Sequence, residues 1–232
     1  MINSLLTLYS QKFPFEKFYD NLLYNISTYP KYHIDSKTFL LGFSSANLVT
    51  QDIPNILTQV GDIRVDLPVW FGNADTKKKI VVIGLEPRDS DKTGHLNIER
   101  INNYVFASPF ALERPQGPYY AAFKNLMNSN KIFTYFTDIV KTYEVNNIND
   151  KIKDDAFARQ TFLKKATANK AFLLNELEII NPSKVIALGD KSFFFLTQLL
   201  GNKYDVLKVR HPSQGGSTIA RKTLDLMLMD LN

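Results

Sequence analysis

The chain has 232 residues, of which 28 are basic and 23 acidic for a formal net charge of +5, with 44% hydrophobic and 12% aromatic side chains and no cysteine. So much apolar surface builds a core rather than a disordered coil, and the missing cysteines exclude disulfides, thiolate nucleophiles, cysteine zinc sites and iron–sulfur clusters. No window reaches the roughly 18 consecutive apolar residues of a membrane span, and MINSLLTLYSQKF lacks a charged leader and a small-residue cleavage site, so a cytoplasmic, unexported protein is expected. The basic excess suits a polyanion such as nucleic acid as partner.

Residues 1–60 carry Leu5, Leu6, Leu8, Phe13, Phe15, Phe18, Leu22, Leu23 and Ile26 at roughly helical spacing, interrupted by Pro14 and Pro30. Phe39 to Phe43 and Ile53 to Val60 continue that texture, and no Pro, Gly or Ser-rich linker follows. One domain is therefore expected, with 1–75 as a helical N-terminal extension packed on an α/β core of 76–232. From Lys79 the pattern changes to short β-branched runs that each end in a turn: Ile80 to Gly84, Ile132 to Phe136, Lys184 to Gly189 and Asp205 to Val209. Asp155 to Ile180 reads as a long helix stopped by Asn181-Pro182, and Thr218 to Leu228 as a last helix behind Ser217. The alternation predicts a three-layer α/β/α domain with a mainly parallel, roughly four-stranded central sheet.

Ligands of such sheets sit beyond the carboxyl ends of the strands. The turns there are polar: Gly84-Leu85-Glu86-Pro87-Arg88-Asp89-Ser90-Asp91, Thr137-Asp138, Gly189-Asp190-Lys191-Ser192 and Arg210-His211-Pro212-Ser213. One edge thus gathers a carboxylate, a glycine turn and a histidine. The phosphate loops GxxxxGK[ST] and GxGxxG are both absent, which argues against a nucleotide-binding enzyme of another α/β family.

These residues resemble the uracil-DNA glycosylase superfamily. VVIGLEP is similar to its G-x-x-P motif and VRHPS to its H-P-S motif, while FALERP, YFTDIVKTY and IINPSKVIALGDKSFFFL follow the family's intervening segments in order. The resemblance covers about residues 79–230. It implies a monofunctional DNA glycosylase acting by water attack, with DNA as partner, a monomeric state, and no metal or other cofactor. It places Glu86 as the carboxylate near the sugar, His211 as donor toward the leaving base, Phe110 as the stacking face (Phe106 if the register shifts), and Asp138 with Gly84 and Leu85 around the base. Arg88, Ser90, Ser213, Arg210 and Lys191 would contact DNA, with Lys208 and Arg221 adding charge.

The match departs from the family where it bears on specificity. Asp138 stands where the best-known branch has asparagine: ionised, it offers acceptors only and suits an edge with two donors, whereas protonated it reads uracil-like edges. Gln214 replaces an expected proline, Gly215-Gly216 replace a bulky wedge residue, and Tyr119 follows Pro115-Gln116-Gly117-Pro118 where a serine would sit. Bland roles stand beside these. Glu86 can pair Arg88 in a turn, His211 can bond a backbone carbonyl, Asp138 can cap the segment from Ile139, and Phe110 can be core. Lys77 to Lys79 reads as a solvated strand entry, Phe193 to Phe195 as core packing on a helix, and His33 and His95 as non-ligands. A catalytically reduced member of the fold that binds nucleic acid or a nucleobase is the alternative to the enzyme.

Overall fold

The computed structural model describes residues 1–12, 63–66, 69–86, 106–107, 118–129, 131–144, 156–213 and 215–231. In chain order they form α1 (Ile2–Lys12), β1 (Ile63–Asp66), β2 (Val69–Phe71), β3 (Lys79–Gly84), β4 (Phe106–Ala107), α2 (Pro118–Met127), β5 (Phe133–Asp138), β6 (Thr142–Glu144), α3 (Ala156–Ile180), β7 (Lys184–Leu188), α4 (Gly189–Leu200), β8 (Val206–Val209) and α5 (Ser217–Leu231). All four predicted strands are present within a residue or two of their predicted bounds.

The central sheet has the order β2-β5-β3-β7-β8. It holds five strands rather than four, because Val69–Phe71 adds an antiparallel edge against Phe136 to Thr134. The other pairings are parallel. β1 pairs with β4 and β6 in a second, three-stranded sheet. Strands β1 and β2 therefore lie in a stretch read from sequence as helical extension; three and four residues are too short for their alternation to show against a helical background. Helix α2 has no counterpart among the expected elements; Pro118 occupies its first helical position, where proline is tolerated.

Parity along the strands sorts the layers. Val81 and Ile83 of β3, Tyr135 of β5 and Val185 and Ala187 of β7 face a cluster with Leu5 and Tyr9 of α1, Leu173 and Leu177 of α3 and Leu196 of α4. Ile80 and Val82, Phe136, and Ile186 and Leu188 face Phe123 and Leu126 of α2 and Leu224 of α5. The inner strands β5, β3 and β7 are thus buried on both faces, which is why β3 and β7 read as continuous apolar runs. Each fully buried Val, Ile, Leu or Phe contributes about 1.5–3 kcal/mol of transfer free energy. Within the Phe193 to Phe195 run only Phe195 is deep, while Phe194 is exposed.

The crossovers place the crevice. The chain leaves β3 through α2 on one face and leaves the adjacent β7 through α4 on the other. Helices that diverge from neighbouring parallel strands open a cleft at the carboxyl ends of those strands. No helix among the described residues is long and apolar enough to cross a membrane.

Candidate active site

Gly84, the last residue of β3, lies opposite Asp138, the last residue of β5. Pairing continues past both, with Ile139 N donating to Gly84 O at 3.1 Å and Val140 N to Leu85 O at 2.9 Å. Glu86 follows in the turn, half-buried. Leu85 packs on the sheet core and anchors that turn. Asp138 is buried, at 4% exposure.

His211 is built from two glycines. Gly189 joins β7 directly to α4 with φ of +79°, where a side chain is strained, and a Cβ there would stand 3.2 Å from His211 Cβ. At Gly216 a Cβ would come within 2.1 Å of His211 O, so only glycine lets the chain close behind the histidine. Pro212 is buried beneath the turn.

Both imidazole nitrogens are engaged. Nδ1 shares a 2.6 Å hydrogen bond with Ser213 Oγ, and Nε2 shares one of 3.0 Å with Tyr119 Oη. The rings of Tyr119 and His211 meet edge to face, 5.5 Å between centroids. Burial of the ring lowers the His211 pKa below the ordinary 6.5 although the residue keeps a solvent-open side, which favours the neutral imidazole. Burial first, and the Asp138 charge second, push the Tyr119 phenol well above its ordinary 10, so it stays protonated. Asp138 and Phe136 have the same parity, which faces α2, and Tyr119 sits in the first turn of α2. Tyr119 therefore lies on the same side of the sheet as Asp138 and bonds His211 beyond β8.

On the opposite face Lys141 and Glu176, both wholly buried, pair at 2.5 Å between Nζ and Oε2. Glu176 Oε1 accepts from Tyr9 and Tyr135, each at 2.6 Å, and from Thr137 at 3.3 Å. Lys141 Nζ also donates to Thr137 Oγ1 and, at 2.6 Å, to Asp138 O. This network fixes the backbone at the end of β5 from behind, through α1 and α3.

Of the residues singled out from sequence, Gly84, Leu85, Glu86 and Asp138 share the β3–β5 end, and His211 with Ser213 sits against the β7 turn. Arg210 is exposed and Lys191 half-buried at the same edge. Lys208 is held by Asp190 at 2.9 Å, so its charge is locally balanced. Phe110, Arg88 and Ser90 lie outside the described residues; Phe106 lies in β4. Tyr119, Lys141 and Glu176 were not read as functional. The one signal for Tyr119 was its place behind Pro118 in the proline-rich segment. Among the described residues no group of three or more His, Cys, Asp or Glu is arranged to hold a metal ion.

No curated protein matches the chain. The profile of the Uracil DNA glycosylase superfamily matches residues 71–217, well over half of the 232. The match runs from the first edge of the central sheet, through the Gly84–Glu86 turn and Tyr119, to the glycines that close behind His211. The chain belongs to the uracil-DNA glycosylase superfamily.

Proposed function

We propose that this protein is a monofunctional DNA glycosylase that hydrolyses the N-glycosidic bond of uracil, or of another deaminated or damaged base, flipped out of DNA in base excision repair. Superfamily membership supports a glycosylase-like function with DNA as the general substrate. The observation that carries the finer reading is His211, fixed at both ring nitrogens beside the crevice where the Glu86 turn and Asp138 converge.

Breaking the bond between C1′ and the base nitrogen builds positive charge on the sugar and negative charge on the base. Glu86 faces the first: its carboxylate stabilises the sugar cation and takes a proton from the water whose oxygen joins C1′. The bonding pair leaves with the base, and the His211 side stabilises the charge that appears on its carbonyl oxygen. A neutral imidazole fits that task, because it donates a hydrogen bond without having to give up a proton. Asp138 and the Gly84–Leu85 backbone read the base edge, with Phe110 as the stacking face. Arg88, Ser90, Ser213, Arg210 and Lys191 hold the strand through its phosphates. The protein works as a monomer without metal or other cofactor.

The test incubates purified protein with single- and double-stranded oligonucleotides carrying uracil, hypoxanthine, xanthine, thymine mispairs or normal bases, then cleaves abasic sites with alkali. Base release is expected from at least one substrate, with Glu86→Gln and His211→Ala each slower by about 100-fold or more. The base released also decides how Asp138 reads its ligand. Strand breaks on no substrate, with salt-sensitive DNA binding retained, would replace the enzyme by a nucleic-acid-binding module of the same fold.

A further inference from the structure

We propose that Tyr119 is a catalytic residue of this site: the carbonyl oxygen of the departing base meets the Tyr119 hydroxyl, and His211 acts from behind it as a positioning donor. The proposal rests on the glycosylase reading and changes which atom touches the base.

The geometry leaves the imidazole little room to act directly. Ser213 occupies Nδ1 at 2.6 Å and Tyr119 occupies Nε2 at 3.0 Å, so a base oxygen could reach Nε2 only by breaking an existing hydrogen bond. A hydroxyl both donates and accepts. If Ser213 Oγ donates to Nδ1, the neutral imidazole carries its proton on Nε2 and donates it to Tyr119 Oη, and the phenolic proton is then directed onward. A chain of donors running Ser213, His211, Tyr119, base results, each bond polarising the next. The phenol is suited to its end. Burial and the nearby Asp138 charge keep it protonated, so it donates without ionising. Asp138 lies on the face of the sheet that α2 covers, so the hydroxyl and the side chain placed to read the base edge share one side of the sheet. The edge-to-face contact with the imidazole, at 80° between ring planes, holds the Tyr119 ring in this orientation.

The step balances without a further reactant. Water oxygen bonds to C1′ as the C1′–N bond breaks, Glu86 takes the water proton, and the base leaves as an anion whose oxygen charge is met by Tyr119 Oη–H. The proton stays on Tyr119, and solvent protonates the base after departure.

Two measurements on the full chain decide it. The first is the long-range 15N–1H spectrum of histidine-labelled protein near pH 7, with the His211 signals assigned among the three histidines by their loss in His211→Ala. The expected result is the Nε2–H tautomer in the unaltered protein, with the Nε2 resonance displaced in Tyr119→Phe. The Nδ1–H tautomer would overturn the proposal, since Tyr119 would then be spending its proton on the histidine. The second is excision kinetics. Tyr119→Phe is expected to lower kcat about 100-fold with KM within about twofold, and Tyr119→Phe/His211→Ala to be no slower than the worse single variant, as for groups acting in one chain. Tyr119→Phe activity within twofold of the unaltered protein would refute the role. Failure of the glycosylase reading shows differently, as no excision by the unaltered protein on any substrate.

Discussion

Replacing Lys141 with methionine strands a carboxylate in the core. Lys141 and Glu176 are each 0% exposed, and the ammonium forms an ion pair with Glu176 Oε2 and donates hydrogen bonds to Thr137 Oγ1 and Asp138 O. Methionine keeps most of the stem and supplies none of these. Removing one partner of a buried ion pair costs about 3–5 kcal/mol, chiefly because the other charge is left uncompensated. At about 2–4 °C of Tm per kcal/mol for a protein of this size, Lys141→Met should melt roughly 6–20 °C lower. Glu176→Gln removes the charge but retains Oε1 as acceptor for Tyr9 and Tyr135. Lys141→Met/Glu176→Gln should therefore be more stable than Lys141→Met alone, with a coupling energy above about 1 kcal/mol. Urea unfolding followed by circular dichroism on all four proteins measures this cycle. A Lys141→Met loss below about 1 kcal/mol, or single losses that simply add, would refute the argument.

Three further outcomes follow from the geometry. The His211 imidazole should titrate by NMR with a midpoint below 6.5; the folded state then binds fewer protons than the unfolded chain, so this residue's contribution is fully present above pH 6.5 and is lost as pH falls through the lowered folded value. A midpoint at or above 6.5 contradicts this. Gly216→Ala drives a Cβ to 2.1 Å from His211 O, and should cost about 1–3 kcal/mol and displace the His211 resonances; unchanged stability and spectra would show that the turn yields freely. Asp190→Ala breaks an exposed pair, 52% and 89% accessible on its two sides, so stability should change by less than about 1 kcal/mol. The released Lys208 should tighten oligonucleotide binding and steepen its log–log salt dependence by about one, measured by fluorescence anisotropy; an unaltered slope places Lys208 away from the DNA.

What the sequence determined by itself was the sheet and its chemical edge. Ile80 to Gly84 and Lys184 to Leu188 are legible because a parallel strand buried on both faces must be apolar throughout, and the polar turns after them, with Glu86, Asp138 and His211, stand out against that background. Short strands such as Val69–Phe71 gave too few residues for a period. The partnerships had no local signal at all. Tyr119 lies 92 positions from His211, and Tyr9 lies 167 from Glu176. Only the tertiary structure decided them, because strand parity sends Tyr135 and Thr137 to the α3 face and Asp138 to the α2 face, and the divergence of α2 from α4 then brings a tyrosine from a proline-rich segment onto the histidine. A side chain's partner across the sheet depends on register and crossover direction, and neither is written in the spacing of residues along one segment.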